Sequence, residues 1–158
     1  MKKIILMAVA LLGLAATTMA QEQNANPRFD RGYTADITLS ATTNNIFHFN
    51  TSHGYNFGGG FYLGGGAGFG AEWSAEGISG DPLYVPSLFV DARWSMLNCK
   101  VSPFVDVKAT QYIDLTAGAT NYGVTPSVGL DINRFSIGVG YSVRGSKSGW
   151  QVAVGFTF

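Results

Sequence analysis

From Tyr33 to Phe158 the sequence repeats with a period of two, and few folds accept such a pattern. Trp150, Val152, Val154, Phe156 and Phe158 alternate with Gln151, Ala153, Gly155 and Thr157. Phe135, Ile137, Val139, Tyr141 and Val143 alternate with Ser136, Gly138, Gly140, Ser142 and Arg144. Successive side chains of a strand point to opposite faces, so each segment has one apolar face and one small or polar face. The same reading gives strands around Tyr33–Ser40, Phe61–Trp73, Leu88–Met96, Phe104–Thr110 and Tyr122–Ile132. Ile46–Phe57 is the least regular, with Thr51 and His53 between the aromatic residues of one face. The pattern therefore predicts an all-β chain of eight antiparallel strands.

Each segment has roughly nine to thirteen residues, about what a tilted strand needs to cross a bilayer, and the count is even. Phe57–Phe61, Met96–Val101 and Ile132–Phe135 read as tight turns on one side. Thr42–Asn45, Ser74–Pro82, Asp114–Thr120 and Gly145–Ser148 read as the longer loops of the other. On that topology Trp73, Tyr84, Tyr112, Tyr122 and Trp150 would ring the outer rim. Tyr33, Tyr55, Phe57, Phe61, Trp94 and Phe158 would ring the inner one, giving the two aromatic girdles of a membrane barrel.

A soluble sandwich also alternates, so the polar face must decide between them. Here that face carries mainly Gly, Ser, Thr and Ala, and charged residues make up 13% of the chain against about 25% in ordinary soluble domains. Small residues suit the cramped interior of an eight-stranded barrel, which side chains fill. The glycines at 64, 66, 68 and 70 are expected to make room for large side chains opposite, such as Tyr62, Phe89, Phe104 and Arg93. Asp36, Glu72, Asp91, Arg93, Asp106, Lys108, Asp131 and Arg144 are the charges of the inward face, expected to form a paired network because buried charges must be paired. The zero net charge gives no reason to expect a nucleic-acid partner.

The N-terminus is of another kind. Lys2 and Lys3, the apolar run Ile4–Ala16 and the small residues Thr18 and Ala20 before Gln21 make residues 1–20 a cleavable signal peptide. Residues 21–31 are polar and aperiodic and read as a flexible leader, which leaves 32–158 for the barrel domain. Cys99 is the single cysteine and has no intramolecular disulfide partner.

With strands and turns laid out, the chain resembles the OmpA/OmpX-type outer-membrane barrels, and more closely a family of small outer membrane protein β-barrel domains of diderm bacteria. The residues that carry the resemblance are Thr51–Tyr55 leading into Phe61–Phe69, with Val85–Arg93 and Ser102-Pro103-Phe104. The last strand, ending in Phe156 and Phe158, resembles the signal read by the barrel-assembly machinery. The resemblance implies an eight-stranded transmembrane up-and-down β-barrel in the outer membrane, with its lipid as the surrounding partner. It carries over no catalytic residue and no specific partner.

No site of chemistry emerges. Ser52 and His53 invite comparison with a Ser-His hydrolase, but adjacent residues of a strand face opposite ways. His48 and His53 lie five apart and would not converge on a metal; they read as interfacial residues near the periplasmic rim. The Gly58–Gly70 stretch lacks the helix and Lys-Ser/Thr pair of a phosphate loop. The expected function is a non-catalytic outer-membrane barrel with a structural, envelope or partner-binding role and no cofactor. The alternatives are a narrow channel or small-ligand-binding barrel, and a secreted soluble barrel or sandwich.

Overall fold

Alternating apolar and polar residues force a sheet to hide one face from the other, and closing the sheet on itself achieves this without leaving an edge. The computed structural model describes residues 26–73, 82–115, 118–145 and 147–158. Eight strands follow one another in chain order: β1 (Gly32–Thr42), β2 (Ile46–Gly58), β3 (Phe61–Glu72), β4 (Leu83–Ser95), β5 (Val101–Asp114), β6 (Ala119–Ile132), β7 (Phe135–Ser142) and β8 (Gly149–Thr157). Each pairs antiparallel with its sequence neighbours, and β8 closes on β1 through a ladder from Asp36↔Thr157 to Thr42↔Gln151. This is the closed eight-stranded up-and-down barrel that the periodicity predicts.

The short turns and both strand termini share one end of the barrel, here called the turn end; the longer connections share the other, the loop end. The β2–β3 turn passes through Gly58, Gly59 and Gly60 and the β6–β7 turn through Asn133, all with positive φ. L side chains avoid that backbone region, which is why glycine and asparagine stand there. Of the expected loops, residues 74–81, 116–117 and 146 lie outside the described residues, as does the predicted signal peptide.

The burial pattern inverts that of a water-soluble protein. Among the described residues only Ile46, Tyr62, Val85, Phe89, Phe104 and Tyr112 are buried hydrophobics, whereas Ser, Thr, Asn and charged side chains fill the remaining interior. The outer surface is apolar on every strand, from Leu39 and Phe49 through Leu63, Leu88, Val107, Val128 and Val139 to Val152. No described helix is long and apolar enough to cross a membrane, which says nothing about strands.

Tyr112 is not part of an outer aromatic rim: it is 5% exposed and lies inside, because it shares parity with Phe104, Asp106, Lys108 and Thr110. Within the described part of the expected leader one short element stands. Asn26 caps a 3-10 turn at Pro27–Phe29 by accepting the Arg28 amide on its side chain, and both Asn26 and Arg28 are buried. Proline at the first position of such a turn costs nothing, since its missing N–H would have had no partner.

Candidate functional site

All eight charges assigned to the inward face lie in the interior, and five of them fall into two clusters. At the loop end Glu72, the last residue of β3, receives hydrogen bonds from Arg144 and, at 2.7 Å, from Lys147. The Arg144 guanidinium also lies 4.0 Å above the Tyr112 ring, which in turn packs against His48. His48 thus sits inside the barrel toward the loop end, not at the periplasmic rim.

At the turn end the cluster centres on Asp36 of β1 and Asp131 of β6. Arg28, 2% exposed, reaches up from the 3-10 turn and places Nη2 2.7 Å from Asp36 Oδ1 and 2.8 Å from Thr157 Oγ1. Its Nε is 3.7 Å from Asp131 Oδ2, and its guanidinium carbon is 5.5 Å from the centre of the Tyr62 ring. Asp131 accepts from Ser95 at 2.5 Å and lies 3.5 Å from Arg93, whose guanidinium covers the Phe104 ring at 4.3 Å. Charges taken out of water need such partners, or each costs several kcal/mol.

The pairing is incomplete. Cross-strand register sets Lys108 opposite Asp91 and Asp106 opposite Arg93, yet among the described residues no ion pair within 4.0 Å joins these. Lys108 instead lies 4.5 Å from the centre of the Phe89 ring. Asp91 accepts from Ser52 at 3.0 Å. A serine has one hydroxyl hydrogen, so Tyr62, 2.7 Å away, is the donor to Ser52. Between the clusters lie two small polar cavities, of about 20 and 30 Å³, both bordered by Lys108, Thr125 and Gln151. Four buried polar atoms without a hydrogen-bond partner border them: Ser40 Oγ and Ser87 Oγ in one, Arg93 Nη1 and Asp106 Oδ1 in the other. Cavities of that size and polarity have room for about one or two waters each.

The glycines of β3 and its partners make the clusters possible. The tyrosine ring of Tyr62 lies over Gly64, Phe89 over Gly66, and His48 over Gly70. Phe104 is accommodated elsewhere, against Gly129 and Gly138, so the expectation that the β3 glycines serve Phe104 and Arg93 is corrected. Ser52 and His53 face opposite ways: Ser52 is buried, and His53 is exposed on the outer wall, 2.5 Å from the Tyr33 hydroxyl. Phe156 and Phe158 stack edge-on at 4.9 Å on the outside of β8. Cys99 lies in the β4–β5 turn, its thiol 3.0 Å from the Val101 carbonyl. Sequence reasoning missed Arg28 and Lys147 as members of the clusters. The Asn26-Pro27 pair, a cap residue before a proline, was the signal that could have found the first.

No protein-family model matches the sequence, and no curated protein matches it. Among solved structures the chain is similar to the N-terminal β-barrel domain of Pseudomonas aeruginosa OprF, with a TM-score of 0.51 and 13% identity over 87% of this chain and 100% of that one. It is also similar to a de novo designed transmembrane β-barrel, with a TM-score of 0.49 and 13% identity over 89% of this chain and 100% of the other. At such identity the OprF likeness speaks for the fold alone, and it agrees with the OmpA-like barrel expected from the sequence.

Proposed function

We propose that the chain is an integral outer-membrane β-barrel, non-catalytic, with a filled interior and a structural, envelope or partner-binding role. The observation that carries this reading is the apolar belt around a closed barrel whose inside is polar. Exposed apolar patches on soluble monomers rarely exceed a few hundred Å², whereas here every strand contributes to one continuous surface. The OprF likeness adds support through the fold it shares.

The interior supports filling over transport. Ion pairs and rings occupy both ends, and the cavities between them, about 20 and 30 Å³, are far below the ~300 Å³ at which small-ligand pockets begin. The non-catalytic reading is supported by Ser52, whose hydroxyl is committed to Asp91 and Tyr62 while His53 lies on the other face of the sheet. The reading also includes the assembly machinery as a partner of β8. Phe158→Ser is then expected to lower the amount of barrel reaching the membrane in cells while leaving the melting midpoint of refolded protein unchanged; loss of both would assign Phe158 to stability instead.

The test of the main reading is refolding into detergent followed by cold and boiled gel mobility with far-UV circular dichroism. A β-rich spectrum with heat-modifiable migration is the expected result, together with no step conductance in a planar bilayer. A chain that folds in plain buffer and stays monomeric there overturns the membrane assignment.

A further inference from the structure

We propose that the turn end of the barrel is a binding socket for a guanidinium group, filled in the resting chain by its own Arg28. Four features define it, from four different strands. Asp36 of β1 and Asp131 of β6 supply two carboxylates, Thr157 of β8 a hydroxyl, and Tyr62 of β3 an aromatic face. A planar cation with several fixed donors matches that set; a lysine ammonium, a compact point charge, does not. The socket is preassembled by contacts that do not involve Arg28. Thr157 donates to Asp36 at 2.6 Å, Ser95 donates to Asp131, and the Tyr62 hydroxyl is bound to Ser52.

The occupant is held as a ligand is held. Arg28 belongs to no strand; it is carried in on a single 3-10 turn whose backbone–backbone hydrogen bonds, Phe29 N to Asn26 O and Asp30 N to Pro27 O, close within the turn itself. Its guanidinium is buried, with Nη1 unpartnered and enclosed, so the side chain does not use all the donors it brings. Without it, Asp36 would lose its only ion pair among the described residues, and Asp131 would be left with Arg93 alone. The segment 26–30 is therefore a plug whose key is one arginine, and the lock accepts an arginine side chain from elsewhere once the plug is drawn. This inference goes beyond the membrane reading and does not depend on it, since it concerns the closed barrel in whichever medium it folds.

The test is chemical rescue. Arg28→Ala is refolded in the medium in which the unsubstituted chain folds, with and without millimolar methylguanidinium, and with methylammonium as the control cation of equal charge. Removing one partner of a buried pair is expected to lower the thermal midpoint by roughly 10 °C. Methylguanidinium restores at least half of that shift, methylammonium does not, and neither moves the unsubstituted chain, whose socket is full. Should Arg28→Ala fail to fold alone, folding in methylguanidinium but not in methylammonium supports the socket. Failure in both overturns it, as do equal rescue by the two cations, no rescue, and an Arg28→Ala midpoint equal to that of the unsubstituted chain.

Discussion

The packing around Tyr62 shows how a single side chain and the absence of others share one function. Its ring lies inside β3 over Gly64, and a Cβ built at Gly64 would meet three Tyr62 atoms before anything else. Gly54, the cross-strand partner of Gly64, is crowded by the same ring and by backbone. Glycine normally weakens a strand by about 0.5–1 kcal/mol relative to alanine, so its presence here needs a reason, and the ring supplies it. Gly64→Ala is accordingly expected to cost about 1–3 kcal/mol in the native barrel. In a Tyr62→Ala background the same change should be neutral or slightly stabilising. A double-mutant cycle on the melting transition measures this, with a coupling of about 0.5–3 kcal/mol expected; additive effects would mean that the ring is not what excludes the methyl group. At this scale parity is legible in the sequence, and it sends Asp36, Asp91, Asp131 and the other five charges of that face inward. Partnership is not legible. Nothing in the spacing of Lys108 says that it settles on Phe89 and not on Asp91, because that choice depends on where a ring stands on a neighbouring strand.

At the scale of elements, turn chemistry and strand parity carried most of the information. All eight strands fall where alternation and glycine-bearing turns put them, since a one-residue slip would move a whole apolar face into the interior. Ile46–Gly58 looked irregular only because Thr51 and His53 stand on the outer face, where His53 is partnered by Tyr33. What escaped was the element without periodicity: the turn at Pro27–Phe29 has too few residues to show a pattern, and its burial comes from contact with distant strands. Register in the β6–β7 hairpin depends on Asn133, which holds a φ of 58°. Asn133→Gly should leave stability within about 0.5 kcal/mol, whereas Asn133→Val, a β-branched residue in the left-handed region, should cost about 1–2 kcal/mol. Thermal unfolding of the two variants decides it, and equal midpoints would show that the turn backbone rearranges freely.

For the whole molecule the decisive quantity is what the outer wall touches. A barrel with buried Asp, Arg and Ser and exposed Val, Leu and Phe has its polarity reversed relative to water, and only a medium as apolar as its surface makes that arrangement favourable. The cost of a charge on that wall should then depend on depth. Val139, 48% exposed, lies midway along β7 between Val128 and Val152, so it belongs at the centre of the belt. Tyr122, 70% exposed, stands near the loop end of β6, where an aromatic belt would meet the interface. Val139→Arg is expected to cost roughly 2–4 kcal/mol in lipid vesicles and Tyr122→Arg roughly 0–1 kcal/mol. In a water-soluble barrel both side chains would face solvent, and the two arginines would be tolerated alike. Denaturant titration of both variants in vesicles therefore tests register and environment together. A steep difference between the positions requires that Val139 point outward and that the belt be buried in hydrocarbon, whereas equal small costs would remove the membrane from the account while leaving the barrel itself intact.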